Sequence, residues 1–187
     1  SEASQVYQLN LHGRLERPSA HLLTVLRSAA DLSVLTKGAF DITVQPLWGV
    51  YQQAARSNAR PTRPDRLKAS AKLGWERVLV EDERVTLCKP GMQVTLNGLA
   101  QGYAADLALE ALRACGIANA LVDMGEFAAR GAKSSQQPWT LGVPDPRDPG
   151  LLAARLRVEG RSVATSGDYA TTFTPDFVHH HIFDPST

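Results

Sequence analysis

The stretch TLNGLAQGYAAD, residues 95–106, has the composition of a ligand-binding corner. It places Asn-Gly and then Gln-Gly between an apolar segment and an alanine-rich predicted helix. Backbone N–H groups at a helix start lack intrahelical partners, and glycines let a ligand approach the main chain, so the junction could hold an anion. The alternative is an ordinary Asn-Gly turn. The spacing fits neither the dinucleotide GxGxxG pattern nor the phosphate-binding GxxxxGK[ST] loop.

Two more stretches place polar side chains where they could bind or react. In GAFDITVQPLW, residues 38–48, Asp41 lies between Phe40 and Ile42, directly after a predicted helix end. A buried Asp needs partners whereas an exposed Asp is a turn residue, and the local sequence leaves both open. In ATSGDY, residues 164–169, Ser166 precedes Gly167, but the GxSxG pattern of a hydrolase is missing. A polar loop is therefore the default interpretation, with Ser166 as a nucleophile the alternative.

Three consecutive histidines precede an Asp-Pro pair in HHHIFDP, residues 179–185. If HHHIFD is a strand, His179 and His181 share one face while His180 points to the other. Three adjacent histidines on a strand therefore cannot all bind one metal ion. Each is either a surface or packed residue or, beside the Asp-Pro turn, a general base near neutral pH.

Composition indicates an ordinary globular chain. The 187 residues are 43% hydrophobic and 21% charged, with a net charge of +1. No basic run is interleaved with aromatic residues, which argues against nucleic acid as a partner. No run of about 18 apolar residues appears, so the sequence predicts no membrane span. The chain starts without Met or a basic and apolar leader, which we interpret as a processed or trimmed N-terminus.

The two cysteines, Cys88 and Cys115, lack metal-ligand spacing. Whether they pair is left open by the sequence, so they do not fix the redox compartment. We expect both to be small buried residues.

The elements that must position these residues alternate in type. Pro18 and Ser19 predict the start of a helix through AHLLTVLRSAADLSVLTKG, which Gly38 can end. Residues 51–72 are polar, with Pro61 and Pro64 inside them. We interpret them as a surface excursion, the segment expected to be most flexible, with a short helix at PDRLKASAKLG.

Strands outnumber helices in the rest of the chain. RVLVEDERVTLC predicts two strands around an acidic turn, and MQVTLNG predicts a third that pairs with them as a meander. A helix over residues 100–115 follows, with Tyr103, Leu107 and Ala111 on one stripe. Further strands are predicted at ANALVDMG, PWTLGV, ARLRVEG, SVATSG and HHHIFD. The predicted class is mixed α/β (α+β).

Seven stretches in this order carry a family resemblance: SEASQVYQLN, GAFDITVQPLW, LNGLAQGYAAD, LVDMGEFAARG, PWTLGVPDP, VATSGDY and HHHIFDPST. The series resembles the motifs of the ApbE-type FAD:protein FMN transferases and covers nearly all of the chain. Seven motifs in the right order are far more specific than any one of them. The variants LNGLAQGY and VDMGEFAARG are similar to the NosX-like branch, which is associated with maturation of the nitrous oxide reductase system.

The resemblance implies a single ApbE-like domain over residues 1–187, with an α/β (α+β) fold that binds FAD in a cleft between two subdomains. It implies an enzyme that uses Mg²⁺, transfers FMN from FAD to a Thr or Ser hydroxyl of a partner flavoprotein, and releases AMP. The implied location is the periplasm. The NosX-like branch points to a NosR-like protein as the acceptor.

The same resemblance assigns roles to individual residues. Ala39, Phe40 and Asp41 match a FAD-contacting stretch, and His181 matches a histidine that contacts FAD and is the candidate catalytic base. Gly98 matches a position that gives a main-chain oxygen to the metal ion.

Three positions depart from the family pattern. Thr95 stands where many members have a FAD-contacting Asp, and Gln101 where they have Lys or Glu. Both remain at predicted FAD-contacting positions and can form hydrogen bonds, but two charges are replaced by neutral groups. Glu126 replaces the second Gly of a Gly-Gly turn, where its carboxylate is expected to interact.

The resemblance also implies two segments that lie outside this sequence: an N-terminal export segment and a C-terminal segment that supplies Asp and Thr metal ligands. A protein without the second segment is expected to bind Mg²⁺ weakly and to transfer FMN poorly. The sequence therefore names no side-chain metal ligand.

Two rival functions follow from the same residues. The first is a flavin carrier or assembly factor that keeps the FAD site without turnover, as the neutral residues Thr95 and Gln101 suggest. The second is a hydrolase that uses Ser166, which needs a nearby His or Lys and is disfavoured by the motif order.

Overall fold

The computed structural model describes residues 4–148, 150–169 and 171–185. The chain divides into two compact units, with Ser1–Leu96 and Thr171–Thr187 in unit 1 and Asn97–Ala170 in unit 2. Both helices and antiparallel sheets are present, which confirms the predicted mixed α/β (α+β) class. Across the described ranges, no helix has the length and apolar character needed to cross a bilayer. The first three residues of SEASQVYQLN and the last two of HHHIFDPST lie outside these ranges.

Unit 1 contains four α-helices: α1 Gln5–His12, α2 Ala20–Leu35, α3 Gln45–Arg56 and α4 Arg63–Ser70. Helix α2 begins as predicted, because the Ser19 hydroxyl accepts a hydrogen bond from the Leu22 N–H at 3.2 Å. It ends before Gly38, which has a φ of 84° and donates its N–H to the Ser33 carbonyl. The apolar face of α2 is buried around Leu26 and Ala29.

The predicted surface excursion over residues 51–72 is wrong for residues 51–56, which belong to a helix. Helix α3 continues to Arg56, since its apolar side packs inward through Pro46 and Leu47 while its polar residues face outward. Residues 57–62 form the connection. The predicted short helix is confirmed as α4, which the Thr62 hydroxyl caps and whose Pro64 occupies the first turn, where no backbone N–H is needed.

The sheet of unit 1 has the order β1-β3-β2, with β1 Arg14–Glu16, β2 Val78–Val80 and β3 Arg84–Leu87. The predicted hairpin around residues 81–83 is confirmed as the antiparallel β2 and β3 pair. The third strand predicted at MQVTLNG is wrong, because β1 occupies the other edge of β3. In this segment Val94 is hydrogen-bonded to the Asn10 side chain, Thr95 to the Ile42 carbonyl and Met92 to the Lys89 carbonyl instead.

Unit 2 contains helix α5 and two small antiparallel sheets of order β4-β5-β8 and β6-β7. The elements are α5 Ala100–Ala114, β4 Ala120–Asp123, β5 Phe127–Arg130, β6 Trp139–Pro144, β7 Leu152–Val158 and β8 Ser162–Val163. Strand β5 was not predicted, and SVATSG is a strand only in its first two residues. Ala105 is the buried residue of α5, whereas Ala111 of the predicted stripe is exposed.

Two further predictions are wrong. HHHIFD is not a strand, because the Thr174 hydroxyl and the Asp176 carboxylate accept backbone N–H groups of residues 178–179 and fold the segment into turns. A single bridge pairs Thr172 with His180. Cys88 and Cys115 are not buried either: each lies at the end of an element, exposed, as a free thiol.

Candidate functional site

The Asp41 carboxylate is fixed at the start of a 3₁₀ turn, Ile42–Val44. Its Oδ1 accepts hydrogen bonds from the Thr43 N–H at 2.7 Å and the Thr43 hydroxyl at 2.6 Å. The Thr43 hydroxyl accepts in turn from the Gly74 N–H at 2.9 Å. Thr43 is fully buried while Asp41 is half-buried. The orientation of the Asp41 carboxylate is therefore fixed by Thr43, and in the described structure Oδ1 accepts both of these hydrogen bonds.

Replacing Thr43 with Val tests this arrangement. The substitution keeps the shape of the side chain but removes the acceptor of the Gly74 N–H and the donor to Asp41. Because a buried polar group without a partner is costly, we expect the free energy of unfolding to fall by about 1–3 kcal/mol, measured by urea denaturation. Thr43→Ser, which retains the hydroxyl, is the control and should lose less. Equal losses for Ser and Val would contradict the hydrogen-bond explanation.

Thr95 is held beside the Asp41 turn by backbone contacts. Its N–H donates to the Ile42 carbonyl at 2.8 Å. The preceding residue, Val94, forms two hydrogen bonds with the Asn10 side-chain amide. The amide donates to the Val94 carbonyl at 2.8 Å and accepts from the Val94 N–H at 2.7 Å. Asn10 thus does for this extended segment what a neighbouring strand does in a sheet.

A concavity of about 490 Å³ brings two distant motifs together in unit 1. It is lined by Lys37, Gly38 and Ala39 from the end of α2, and by Ile182, Phe183 and Asp184 from the histidine-containing segment. Ala39 is thus placed beside the residues that directly follow His181. Phe40 is half-buried, and its N–H donates to the Thr36 hydroxyl at 3.0 Å.

The three histidines differ in what their rings contact. The His179 ring lies 5.7 Å from that of Tyr51, centroid to centroid, as part of an aromatic cluster. His180 Nδ1 accepts the Ile182 N–H at 3.3 Å, so a neutral His180 carries its proton on Nε2. His181 Nδ1 lies 3.1 Å from the Thr171 carbonyl. Because a carbonyl only accepts, neutral His181 carries its proton on Nδ1, and its Nε2 lone pair can accept a proton as a base does.

The aromatic cluster anchors the histidine segment to helix α3. Its ring centroids lie between 5.4 and 6.4 Å apart, and its members are Trp48, Tyr51, Phe173, His179 and Phe183. Phe183 also packs against the buried cluster formed by Leu47, Ala69 and Leu73. This packing on both sides of residues 180–182 restricts where the His181 ring can lie.

Gly98 and Gln101 lie in unit 2, where Gly98 belongs to the turn before α5 and Gln101 to its first helical turn. The Gln101 side chain packs against Gly125, where an added Cβ would stand 2.5 Å from Gln101 Nε2. Gly125 also has a φ of 86°, which favours glycine. The predicted positions 98 and 101 therefore lie at the helix start that the sequence indicated.

Two contacts that the sequence did not specify hold the ATSGDY loop of unit 2. The Glu126 carboxylate accepts the Thr165 N–H at 3.0 Å, which gives the departure at position 126 a definite partner. Arg147 donates two hydrogen bonds to Asp168, at 2.9 and 2.6 Å. These hydrogen bonds to Asp168 are the main cause that raises the pKa of the Arg147 guanidinium. In the sequence, the only local sign of this contact is an Arg between two Asp-Pro pairs in PDPRDP, residues 144–149.

A cluster of side chains able to hold a metal ion was sought among the described residues. Within residues 4–148, 150–169 and 171–185, no three His, Cys, Asp or Glu side chains are grouped so as to hold a metal ion. The main-chain oxygen of Gly98 alone falls short of the several oxygen ligands that Mg²⁺ requires.

Comparison with known proteins gives consistent matches. The model of the ApbE family matches residues 1–187. A FAD:protein FMN transferase of Vibrio cholerae is 32% identical over 98% of this chain, and one of Haemophilus influenzae is 30% identical over 98% of it. The crystal structure of an ApbE protein from Thermotoga maritima superposes with a TM-score of 0.88 at 35% identity and covers 100% of the chain. The chain spans 57% of the length of each of the two relatives and 62% of the solved chain.

Proposed function

The chain belongs to the ApbE family, and from this membership we propose that the protein takes FAD as substrate and transfers FMN to another protein. The observation that supports the proposal best is the concavity of unit 1, which places Ala39 beside residues 182–184. Two motifs separated by most of the chain line one space there, and the half-buried residues Asp41 and His181 lie within two positions of the lining residues along the sequence. A mostly apolar concave surface with a few polar groups, here Lys37 and Asp184, is typical of a ligand site.

The proposed reaction is attack of a Thr or Ser hydroxyl oxygen of the acceptor on the FMN phosphorus of FAD. A phosphoester bond forms to the acceptor, the pyrophosphate bond breaks, and AMP leaves. The hydroxyl proton must go to a base, and the reacting groups must be held in line.

In this proposal His181 is the base. The hydrogen bond between Nδ1 and the Thr171 carbonyl orients the ring and leaves Nε2 to receive the proton. Ala39, Phe40 and Asp41 contact FAD, with Asp41 held by Thr43 so that its carboxylate is presented in one orientation. Thr95 and Gln101 contribute neutral hydrogen-bonding groups.

We also propose that transfer depends on Mg²⁺. In such sites Mg²⁺ is bound by few protein ligands together with substrate phosphates and water, and it neutralises phosphate charge. The Gly98 carbonyl is the contribution that the family resemblance assigns to this chain. Among the described residues, no group of three or more His, Cys, Asp or Glu side chains adds a ready set of ligands to it.

The proposed acceptor is a flavoprotein subunit that carries a reactive Thr or Ser, and the proposed location is the periplasm. Both rest on the family resemblance. The proposed assignment to the NosX-like branch rests on LNGLAQGY and VDMGEFAARG and would make a NosR-like protein the acceptor.

A flavin carrier is the second candidate function. It is favoured by one observation, the neutral side chains of Thr95 and Gln101 at positions that are charged in many members. A carrier would bind FAD without producing AMP. The hydrolase hypothesis has less support, because Ser166 makes no hydrogen bond to a His or Lys side chain within the described ranges.

The experiment that tests the proposed function follows FAD binding and AMP release separately. The protein is titrated with FAD by fluorescence and then incubated with FAD, Mg²⁺ and an acceptor flavoprotein. We expect saturable binding, and AMP that depends on the acceptor. AMP formed at the same rate without an acceptor would indicate hydrolysis, and binding without AMP would indicate the carrier.

A further inference from the structure

A groove of about 660 Å³ lies between helices α3 and α4 of unit 1, apart from the concavity that holds Ala39. Its apolar lining includes the buried residues Pro46 and Ala69 and the half-buried Val50, and we call this part the floor. Its cationic lining consists of Arg60, Lys68 and Lys72, and we call this part the rim. An apolar centre with a charged rim is the usual arrangement of a protein-binding surface.

The groove belongs to the most basic part of the chain. Residues 51–77 contain seven Lys and Arg against two Asp and Glu, whereas the whole chain has a net charge of only +1. Three of these seven cations, Arg60, Lys68 and Lys72, line the groove, against the single acid Asp65. Such a concentration attracts acidic partners and speeds their association.

The cations of the rim are available to a partner. Lys68 is exposed and Lys72 half-buried, and neither forms an ion pair within the described part of the chain. Arg60 has a loose contact of 3.7 Å with Asp176, and both of those side chains are largely exposed. The acid of the groove itself, Asp65, already accepts the Thr62 hydroxyl at 2.6 Å.

The groove is connected to the proposed site at two places. Helix α3 starts directly after the Asp41 turn, and the chain beyond α4 returns to that turn through the hydrogen bond from Gly74 to Thr43. Asp176, the partner of Arg60, belongs to the loop that precedes the histidines. The Thr174 hydroxyl, the Val178 N–H and Arg60 together lower the pKa of Asp176.

We propose that this groove docks an acidic segment of the acceptor flavoprotein, with an apolar residue on the floor between Val50 and Ala69 and carboxylates on Lys68 and Lys72. The inference rests on the proposed function, since it names the surface by which the acceptor is held. Charge complementarity is its main support. An apolar floor favours a peptide over a free phosphate, which would gain nothing from Pro46, Val50 and Ala69.

The test uses a short fluorescein-labelled peptide rich in Asp and Glu with spaced Leu residues, followed by anisotropy at low salt. We expect saturable binding that weakens as NaCl is raised. A peptide with Lys in place of the acidic residues should not bind. Inorganic tripolyphosphate is the competitor, and it should displace the peptide poorly. Displacement by tripolyphosphate at a concentration equal to that of the peptide would overturn the proposal in favour of a phosphate site.

Charge reversal in and directly after helix α4 supplies a matched pair of variants. Lys68→Glu with Lys72→Glu should weaken peptide binding about tenfold or more, because two attractive contacts become repulsive. Arg63→Glu with Arg66→Glu reverses the same number of charges on α4 but away from the groove, and should change binding less than about threefold. Lys68→Glu alone covers the case in which the double variant does not fold. Equal losses in the two double variants would contradict docking in the groove.

The same variants separate this inference from the proposed function. If docking in the groove is right, Lys68→Glu with Lys72→Glu raises the KM for the acceptor protein and leaves FAD binding unchanged. If the double variant binds FAD and transfers FMN with an unaltered KM for the acceptor, docking in the groove is refuted and the proposed function stands. A protein that binds the acidic peptide but not FAD refutes the proposed function while the docking surface stands.

Discussion

Replacing His181 with Ala is expected to reduce the rate of FMN transfer by a factor of about 10² to 10⁴, the usual contribution of a positioned general base. The physical reason lies in the ring orientation. The Thr171 carbonyl accepts from both the backbone N–H and Nδ1 of His181, at 3.0 and 3.1 Å, and so leaves Nε2 to take the proton of the attacking hydroxyl. The measurement is the initial rate of AMP release with acceptor present. FAD binding should weaken far less than the rate.

His180→Ala is the matched control for this prediction. It removes a neighbouring imidazole whose Nδ1 already accepts the Ile182 N–H and whose Nε2 carries the proton, the wrong arrangement for a base. Transfer by His180→Ala should stay within a few-fold of the unmodified protein. If His180→Ala lost transfer while His181→Ala retained it, the assignment of the base would be wrong.

Replacing Asn10 with Ala is expected to cause the largest loss of stability. Val94 is almost fully buried, and both of its backbone groups depend on the Asn10 amide. Removing that amide leaves one donor and one acceptor without partners, at about 1–3 kcal/mol for each group. The free energy of unfolding should therefore fall by about 2–6 kcal/mol in urea denaturation.

Gln53→Ala controls for removal of an amide side chain in unit 1. Gln53 lies exposed on α3 and should change stability by less than about 0.5 kcal/mol. A second variant, Asn10→Asp, keeps the acceptor for the Val94 N–H but places a carboxylate against the Val94 carbonyl, so it should not restore stability. Full stability of either Asn10 variant would show that residues 92–96 are held by something else.

Secondary structure was predicted correctly from the sequence where signals within the element itself determine it. Helix α2 has a capping serine, a helical apolar spacing and a glycine stop, and all three act within the helix itself. The hairpin of β2 and β3 has an acidic turn between two apolar runs. Nothing distant in the chain competes with these signals.

Predictions failed where the partner is distant or is a side chain. Residues 92–96 have the pattern of a strand, but Val94 is hydrogen-bonded to the Asn10 side chain and Thr95 to the Ile42 carbonyl rather than to a strand. Strand β1 was missed because three residues carry too little pattern. The histidine segment folds into turns because Thr174 and Asp176 offer its backbone an alternative to strand pairing.

The candidate site was found through motif order and not through local pattern. The family resemblance pointed to Ala39, Asp41 and His181, whose roles stay predictions. Thr43 and Arg147, which hold the surrounding loops, were missed, because their importance depends on Gly74 and Asp168 far away in the sequence. Contacts of this kind become visible only in the folded chain.

The most direct test of the central claim is the intact mass of an acceptor flavoprotein after incubation with the protein, FAD and Mg²⁺. If the protein is an FMN transferase, the acceptor gains one FMN through a phosphoester bond and an equal amount of AMP appears. Substitution of the acceptor Thr should abolish both signals. An acceptor of unchanged mass, with FAD bound and no AMP formed, would contradict the account and leave a flavin carrier in its place.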